Sequence, residues 1–500
     1  MVPLASKYRY GRRLFGRFSR GCRKEHGMGI RMTSIIGIDV GTTFIKAILF
    51  NECGESVAQL REYTPLETEG YNPAKIRQIL LDQVSSLLKY DPAPLGIVVT
   101  GMAEAGLILD DENREMSYIL PWFDRRPANI AKKISDGQSR DWFRITGLHR
   151  NYKYGIFKYL YLKREGKIPG HVKWLSMCDY AAFVLTGDIW TVPGFAARTY
   201  LYDIVRHSWS RPVMDYFGVT EEEFPRVLPE GNIGGYYRGK IPVAIAGHDH
   251  ICAAEGILSA YPKAVCDSAG TSETYISNIE LRKKWEPDPD SGRLYGPFYD
   301  NGWYSMVNIP SSGHSVEWFR TNLQRTALNY QELDSLPFPD GPTHILYFPY
   351  LTGQGSPCYS ETDRGAFLGL HERADAAAVF KAILEGIQYQ AAMQIKPKEL
   401  VCAGGSSRNS RMMQIKADIF GCPVRVPAVE EATLTGAAAI FLKMQHSRIA
   451  ASHFLSKPMK VKKTFYPSPE EHMEYRAILD NQFIPAAMML RKLASEGGEV

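Results

Sequence analysis

Two short glycine-threonine turns, each between two apolar runs, are the residues that first suggest a chemistry for this chain. Gly41-Thr42-Thr43 follows the run Ile35–Val40, and Gly270-Thr271-Ser272 follows a similar run after Ala264. Backbone N–H groups and hydroxyls at such a turn can bind a phosphate, because glycine lets the backbone approach closely. Two copies more than 200 residues apart indicate a duplicated fold with two facing phosphate-binding turns.

Charged side chains accompany the first turn. Asp39 lies two residues before Gly41, where its carboxylate is suited to hold a hydrated Mg²⁺ ion. Lys46 follows on the returning run, where it could neutralise phosphate charge, although a solvated strand lysine is an equally ordinary interpretation. The sequence contains neither a P-loop motif nor Gly-x-Gly-x-x-Gly after a strand, so phosphates must be bound in another way.

The elements around these turns alternate between strand and helix. Strands are predicted on both sides of each turn and at 95–100, and helical spacing covers 74–89. Later the chain predicts a strand at 401–403 that enters the glycine-rich turn Gly404-Gly405-Ser406, then helices at 411–420 and 433–444 around a strand at 424–427. Ser468 is expected to cap a last helix, which Pro485 should kink or end. This pattern favours an α/β fold.

The composition is that of an ordinary globular chain with two cores. It has 500 residues, of which 45% are hydrophobic and 23% charged. No run of about 18 apolar residues predicts a membrane span. The eight cysteines are scattered without a Cys-x-x-Cys pair, and their surroundings predict buried thiols in a reducing compartment, which favours the cytoplasm.

The positive charge of the chain is concentrated in residues 1–31. This segment carries nine Lys or Arg residues and a single acid, Glu25, so the formal charge falls from +5 to −3 without it. Composition therefore gives no reason to expect nucleic-acid or membrane binding by the folded body. The leader resembles a mitochondrial presequence, but we favour a start codon assigned too early, with Met28 or Met32 as the true start.

Several further motifs, in their order along the chain, resemble the FGGY family of carbohydrate kinases. The match extends over residues 34 to about 490 and is most specific in the C-terminal half. The stretches that carry it are Asp39-Val-Gly-Thr-Thr, Trp122-Phe-Asp124-Arg125-Arg126, Ala246-Gly-His-Asp249-His250, Gly270-Thr271-Ser272, Asp363-Arg364-Gly365, and Gly404 to Ala438.

The resemblance implies an α/β fold of two RNase H-like domains, as in actin-like ATPases, with the catalytic cleft between them. We expect residues 1–31 to form a basic leader outside the fold. Residues 32–257 are expected to form the N-terminal domain, which binds the sugar and carries the first phosphate turn. Residues 258–500 are expected to form the C-terminal domain, which binds ATP.

The resemblance also implies a role for each site residue, with ATP and Mg²⁺ as cofactors. Asp249 matches the catalytic base, which takes the proton of the attacking hydroxyl. The residues expected to bind the cofactors are Gly41, Thr42, Thr43, Lys46, Gly270, Thr271, Gly404, Gly405, Ser406 and Asn409, with Asp39 at the metal. The residues expected to line the sugar pocket are Glu104, Trp122, Asp124, Asp249 and His250.

Two departures from the family pattern bear on the substrate. His250 stands where glycerol kinase-like members carry an amide and xylulokinase-like members a different small polar residue, which leaves the substrate open. Ala103 stands where glycerol kinases carry an arginine before the pocket glutamate. Glycerol is therefore disfavoured, and a ketopentose, a ketohexose or a similar polyol is the better expectation. The sequence does not name the sugar or the hydroxyl that is attacked.

Other functions were weighed against a sugar kinase. A non-catalytic sugar or nucleotide sensor on the same fold is the main alternative, but the intact Asp39, Thr43 and Asp249 speak against it. An actin-type or chaperone-type ATPase lacks the C-terminal signature. A metal site at His248-Asp249-His250 is disfavoured because adjacent side chains project in different directions. The partner expected is a small-molecule sugar, and the assembly is left open, with a homodimer as one option.

Overall fold

The computed structural model describes residues 34–165, 170–279, 286–323 and 328–496. The predicted leader, residues 1–31, lies outside these ranges. The described chain contains two large sheets and the helices that cover them, in agreement with the α/β class predicted from the sequence.

The first half of the chain begins with a strand hairpin and ends with the helix that carries Asp249. Its strands are β1 (Ile35–Val40), β2 (Phe44–Phe50), β3 (Ser56–Tyr63), β4 (Gly96–Gly101), β5 (Gly106–Asp110), β6 (Val172–Ser176), β7 (Tyr202–Asp203), β8 (Ser208–Trp209), β9 (Ile233–Tyr237) and β10 (Ile241–His248). Its helices are α1 (Pro73–Leu87), α2 (Ala128–Ala131), α3 (Asp136–Thr146), α4 (Gly155–Glu165), α5 (Met177–Thr186), α6 (Pro193–Ala197), α7 (Arg211–Phe217) and α8 (Asp249–Ala260).

The first sheet has six strands in the order β3-β2-β1-β4-β10-β9. β1 pairs antiparallel with β2, so that Asp39 lies opposite Lys46, and it pairs parallel with β4 on its other side. β10 also runs parallel to β4. The carboxyl ends of β1, β4 and β10 therefore meet at one edge, which is where ligands bind in sheets of this kind.

The second half of the chain repeats this plan. Its strands are β11 (Val265–Ala269), β12 (Glu273–Ile279), β13 (Leu294–Phe298), β14 (Gly302–Ile309), β15 (Leu346–Phe348), β16 (Ala366–Leu368), β17 (Leu400–Ala403), β18 (Val424–Pro427) and β19 (Val461–Phe465). Its helices are α9 (Gly313–Asn322), α10 (Tyr330–Ser335), α11 (Ala376–Ala392), α12 (Ser410–Phe420), α13 (Ala432–Gln445), α14 (Arg448–Ser456), α15 (Pro469–Ile478) and α16 (Ile484–Glu496).

The second sheet has seven strands in the order β13-β14-β12-β11-β17-β18-β19. β11 pairs antiparallel with β12 and parallel with β17, as β1 does with β2 and β4. The two hairpins predicted from the sequence are thus confirmed. The strands and helices predicted at 401–403, 411–420, 424–427 and 433–444 are confirmed as β17, α12, β18 and α13.

Two predictions about local chemistry were right in part. The helix α15, which Ser468 caps, is followed by a π-helical turn over Leu479–Phe483. The helix α16 begins directly after this turn, with Pro485 as its second residue. No disulfide joins the cysteines of the described residues, and five of these are buried, but Cys53 and Cys358 are partly exposed. The expectation that every thiol lies in the core was wrong for these two, because both lie in irregular segments between elements.

The helices α8 and α13 each pack against the sheet of the other half of the chain. α13 covers the first sheet, where a Cβ atom added to Gly96 of β4 would lie 2.3 Å from the ring of Phe441. α8 contacts β11 and β12 of the second sheet as well as β10. The predicted boundary between residues 257 and 258 falls inside α8, and the division into 32–257 and 258–500 remains a proposal.

The two helices cross where each carries a glycine. A Cβ atom on Gly436 would lie 1.8 Å from the carbonyl oxygen of Cys252, and one on Gly256 would lie 3.0 Å from the Cα of Gly436. The backbones can approach this closely only because neither position has a side chain. Within the described ranges, no helix is both long and apolar enough to cross a bilayer.

The close crossing predicts an unusual response to alanine. Gly436→Ala should lower the free energy of unfolding by about 1–3 kcal/mol, because the added methyl overpacks the contact with Cys252. Gly137→Ala in α3 is the control, since nothing lies within 4 Å of its added Cβ, and it should be neutral or stabilising by up to about 1 kcal/mol. Thermal unfolding of both variants measures the difference, and equal midpoints would contradict the crossing.

Candidate active site

Hydrogen bonds to two of its backbone carbonyls hold the first glycine-threonine turn in place, and its two threonines are exposed. The hydroxyl of Thr64 donates to the carbonyl of Gly41 at 2.7 Å, and the hydroxyl of Tyr71 donates to the carbonyl of Thr42 at 3.2 Å. Thr42 and Thr43 are both exposed. The turn therefore offers hydroxyls and backbone N–H groups at the carboxyl edge of β1, as a phosphate-binding turn must.

The second turn contacts the glycine-rich loop that follows β17. Gly404 has φ +106°, and a Cβ on it would lie 2.5 Å from the carbonyl oxygen of Ala269, so only glycine fits there. The hydroxyl of Ser406 lies 3.5 Å from the carbonyl oxygen of Gly270. The predicted nucleotide residues Gly270, Thr271, Gly404, Gly405 and Ser406 thus come together at the carboxyl edge of the second sheet.

Asn409 has a structural task in addition to its predicted one. Its Oδ1 accepts the backbone N–H of Met412 at 2.9 Å and so caps α12, while its Nδ2 donates to Asp334 at 2.9 Å. Capping orients the first turn of α12 beside the glycine-rich loop. The predicted contact of Asn409 with adenosine remains a prediction.

Asp249 is the first residue of α8 and follows the last residue of β10 directly. Its Oδ1 accepts the backbone N–H of His250 at 2.8 Å, and a third of the side chain is exposed. Burial raises the pKa of Asp249, but the neighbouring His250 and its backbone N–H lower it, and the pKa stands at about 2. The carboxylate is therefore ionised at neutral pH, as a proton acceptor requires.

The two flanking histidines differ in their surroundings. His248 is buried, and its ring nitrogens have no hydrogen-bond partner among the described residues, with Nδ1 lying 3.6 Å from Oδ1 of Asp249. Burial lowers the pKa of His248, so the ring is neutral. His250 instead reaches the other half of the chain, where its Nδ1 lies 3.2 Å from the hydroxyl of Ser268 in β11.

Asp39 is buried at the end of β1, and its Oδ1 has no hydrogen-bond donor among the described residues. Burial and the neighbouring charge of Asp249 raise the pKa of Asp39 to about 7, although Lys46 acts in the opposite direction. A buried carboxylate oxygen without a donor is costly unless a cation compensates it. Oxygen donors of this kind suit Mg²⁺, so the residues present fit the ion.

Lys46 is already engaged by the other half of the chain. Its ammonium lies 2.8 Å from Oε2 of Glu431, which directly precedes α13. Both side chains are about one quarter exposed. The ammonium expected to neutralise phosphate charge is thus paired in part with a carboxylate of the other half. Its contact with phosphate remains a prediction.

Glu104 forms a mostly buried pair with Arg198, a residue that the sequence did not single out. Oε1 of Glu104 accepts Nε of Arg198 at 2.6 Å and also contacts Nη2, and both side chains are nearly nine-tenths buried. Glu104 has φ +62°, a left-handed conformation that costs a non-glycine residue about 1–3 kcal/mol. Strain of this kind is typical of functional positions.

Trp122 and Asp124 complete the predicted pocket. The indole N–H of Trp122 donates to Oγ1 of Thr42 at 3.0 Å, which joins the pocket to the first phosphate turn. Asp124 accepts Nε of Arg126 at 3.0 Å, and only 9% of its side chain is exposed. The ammonium of Lys153 lies 5.1 Å from the centre of the Trp122 ring.

Sequence reasoning missed Arg198 and Lys153. Arg198 pairs with a residue 94 positions away, and no spacing in the sequence links the two. Lys153 lies in a loop before α4 without a motif of its own. A basic residue within an otherwise apolar stretch, as in Ala196-Ala197-Arg198, was the one available signal.

The arrangement brings together what a phosphoryl transfer needs. Two exposed hydroxyl-bearing turns sit at the carboxyl edges of the two sheets, and an ionised carboxylate begins the helix that connects them. The buried carboxylate of Asp39, one oxygen of which lacks a donor among the described residues, lies just before the first turn, and the indole N–H of Trp122 donates to Thr42 in that turn. Such transfers depend on positioning and electrostatic stabilisation more than on covalent catalysis.

The whole of this constellation falls within two matched family models. The model for the N-terminal domain of the FGGY family of carbohydrate kinases matches residues 34–256, and the model for its C-terminal domain matches residues 266–442. The chain belongs to the FGGY family of carbohydrate kinases. It is therefore a phosphotransferase that acts on an alcohol group, and ATP with Mg²⁺ is the cofactor pair of this family.

Individual relatives and structures agree with this assignment. The chain is 26% identical over 448 residues to the xylulose kinase of Lactococcus lactis, covering 82% of this chain and 87% of that protein. It is 26% identical over 453 residues to the glycerol kinase of Acaryochloris marina, covering 81% and 88%. The crystal structure of a gluconate kinase from Lactobacillus acidophilus superimposes with a TM-score of 0.82 at 20% identity over 93% of this chain and 99% of that one, which shows the shared fold.

The Glu104–Arg198 pair predicts a specific pattern of stability changes. Glu104→Ala should cost about 3–5 kcal/mol of unfolding free energy, because it leaves a buried guanidinium without its partner. Asp290→Ala is the control, since the Arg140–Asp290 pair is about half exposed and exposed pairs contribute little to stability. The double variant Glu104→Leu with Arg198→Met should recover most of this loss. Urea titration measures the free energies of unfolding, and equal losses in Glu104→Ala and Asp290→Ala would contradict the pairing.

Proposed function

We propose that this protein transfers the γ-phosphoryl group of ATP to a hydroxyl of a sugar or polyol, with Asp249 as the general base. The observation that carries the proposal is the ionised carboxylate at the N-terminus of α8. This helix follows a strand of the first sheet, and its next residue, His250, contacts Ser268 two residues before the second turn. The base is thus placed between the two turns expected to bind the phosphates.

In the proposed step, Asp249 accepts the proton of the acceptor hydroxyl as that oxygen bonds to the γ-phosphorus. The bond between the γ-phosphorus and the bridging oxygen breaks in line, and ADP leaves. The backbone N–H of His250 holds Oδ1 of Asp249, so the carboxylate is oriented before substrate arrives. A positioned base contributes about 10²–10⁴-fold in rate, and the rest comes from positioning of the two substrates.

The nucleotide is proposed to lie across both turns. Thr42 and Thr43 would contact its terminal phosphates from the first turn, and Gly270 with Thr271 from the second. The loop Gly404-Gly405-Ser406 and Asn409 would border the adenosine. Support comes from the exposure of Thr42, Thr43 and Thr271 and from the absence of a Cβ at Gly404, where the backbone comes closest to the second turn.

Asp39 is the residue proposed to hold Mg²⁺, through water or directly. The ion supplies charge stabilisation to the phosphates during transfer. Within the chain, Asp39 is fixed by its strand pairing opposite Lys46, and Lys46 is fixed by Glu431. Strand pairing therefore fixes the backbone from which the carboxylate projects.

The acceptor is proposed to bind among Glu104, Trp122, Asp124 and His250. Carboxylates accept hydrogen bonds from paired hydroxyls, and the Trp122 ring can cover an apolar face of a carbon chain. A ketopentose or ketohexose remains favoured over glycerol, because Ala103 replaces the arginine of the glycerol kinase-like pattern. A homodimer, a cytoplasmic location and the domain limits 32–257 and 258–500 stay predictions.

The decisive experiment replaces the proposed base. Asp249→Asn should lower kcat for sugar phosphorylation by about 10²–10⁴-fold, because the amide cannot take the proton, while the Kd for ATP changes less than about 3-fold. Asp215→Asn, at a side chain that is 67% exposed in α7, is the matched control and should leave kcat unchanged.

The same assay separates the enzyme from the alternative, a non-catalytic sugar or nucleotide sensor. Coupled ADP release is measured across ketoses, aldoses and polyols, each against a blank without sugar. A sensor would bind sugar or ATP in calorimetry but yield no phosphoester with any acceptor. That result, or an Asp249→Asn variant with unaltered turnover, would refute the proposal.

The proposed metal residue gives a separate prediction. Asp39→Asn should raise the Mg²⁺ concentration needed for half-maximal activity by at least about 10-fold, because a neutral amide holds the ion less well than a carboxylate. Chelation of Mg²⁺ should abolish turnover in the wild type. Titration of activity against Mg²⁺ measures the shift, and an unchanged titration curve would argue against Asp39 as the metal residue.

A further inference from the structure

The pocket beside Trp122 contains an ammonium group without a counter-charge in contact. Nζ of Lys153 forms no ion pair and no side-chain hydrogen bond with any of the described residues, and its nearest aromatic contact is the ring of Trp122 at 5.1 Å. Burial lowers the pKa of Lys153, whereas the charge of Glu104 raises it. The side chain is partly buried, and its amine lacks a partner among the described residues.

A second unused donor lies on the same side of Glu104. Nε and Nη2 of Arg198 both donate to Glu104, but Nη1 is buried and has no partner among the described residues. Arg198 and Lys153 are close enough that the charge of Arg198 depresses the pKa of Lys153. Two like charges are therefore held near each other, and Glu104, which raises the pKa of Lys153 more than Arg198 lowers it, offsets part of their repulsion.

The other charges around the pocket are already compensated. Asp124 is paired with Arg126, and Arg125 lies 3.8 Å from Glu361. Lys158 is the exception, because its buried amine contacts the carbonyl of Lys153 and no carboxylate of the described residues, and burial lowers its pKa to about 7. Glu104 is taken by Arg198, and Asp249 is reserved for the proton of the acceptor. The pairing leaves the cation of Lys153 and one N–H of Arg198 for the acceptor itself.

We infer that the acceptor carries a carboxylate, as an aldonic acid does, and that Lys153 and Nη1 of Arg198 bind it. This inference rests on the proposed function and narrows its acceptor to an acidic polyol of pentose or hexose length. A neutral ketose would offer the two donors only carbonyl or hydroxyl oxygens. A carboxylate offers two charged oxygens to two cationic donors, and hydrogen bonds between ionised groups are roughly twice as strong as neutral ones.

The assignment also explains why Lys153 is tolerated without a partner. A cation in a partly dehydrated pocket is costly in the free protein, and the cost is recovered when an anionic ligand binds. Lys153 and Arg198 are specificity-determining in this account. Glu104 is then a positioning residue for Arg198, and the reacting hydroxyl belongs to a carbon other than the one that bears the carboxylate.

The test compares three acceptors of one chain length and configuration, namely an aldonate, the matching ketose and the matching alditol. The full-length enzyme should show the highest kcat/KM with the aldonate, by at least about 10-fold. Lys153→Met should lower kcat/KM for the aldonate by about 10–100-fold, mainly through KM, because a charged hydrogen bond is lost. For the ketose and the alditol the change should stay below about 3-fold.

Two control variants test whether the effect of Lys153→Met comes from the loss of its charge at this position. Lys153→Arg keeps the charge and should restore most of the preference for the aldonate. Lys133→Met removes an exposed lysine just after α2 and should change none of the three values. Thermal midpoints within about 2 °C of wild type show that Lys153→Met is folded.

Binding is measured separately from turnover, by calorimetry with the aldonate alone. An aldonate that binds wild type but not Lys153→Met, without any phosphoester being formed, would support this inference and refute the proposed kinase reaction. An aldonate that neither binds nor reacts, while a ketose is phosphorylated, would overturn the inference and leave the proposed function intact. Equal losses for all three acceptors in Lys153→Met would also overturn it.

Discussion

The close crossing of α8 and α13 is the contact on which the rest of the structure depends. The helix that begins with Asp249 leaves the first sheet and reaches β11, while α13, from the second half, covers β1 and β4. Gly436 permits the crossing because any side chain there would meet the carbonyl of Cys252. Each half thus supplies a helix to the interface with the other, and the N-terminus of α8 lies beside β11, which ends at the second glycine-threonine turn.

The two hairpins have the same topology but opposite electrostatics. In the first, Asp39 keeps a buried oxygen without a donor, which leaves it ready for a cation. In the second, the buried acids Asp267 and Glu273 are both contacted by the buried ammonium of Lys416 from α12. Lys416 therefore offsets one of the two acids at the second hairpin, where Oδ1 of Asp267 also lacks a donor, whereas Asp39 at the first hairpin forms no ion pair with the described residues.

Unpaired charges mark the places where ligands are expected. Burying a charge without a partner is costly, so such a group is a candidate for contact with a ligand. Among the described residues Asp39 and Lys153 fit this description, whereas Asp249 is partly exposed and accepts the backbone N–H of His250. Other charges nearby, such as Lys46 and Glu104, have protein partners and serve to hold the site in shape. The distinction separates groups that meet substrates from groups that orient them.

The sequence by itself determined the α/β class, both hairpins, the glycine-rich loop and the family, because these features depend on local periodicity, turn chemistry and ordered motifs. It placed Lys46 near phosphate but could not show its pairing with Glu431, 385 residues away. It likewise missed the Glu104–Arg198 pair and the packing of α8 and α13. Only the tertiary structure decided these two ion pairs and the packing of the two helices, because each arises where distant segments meet. The free energy of burying a charge, or of packing two backbones at a glycine, depends on neighbours that the sequence does not place.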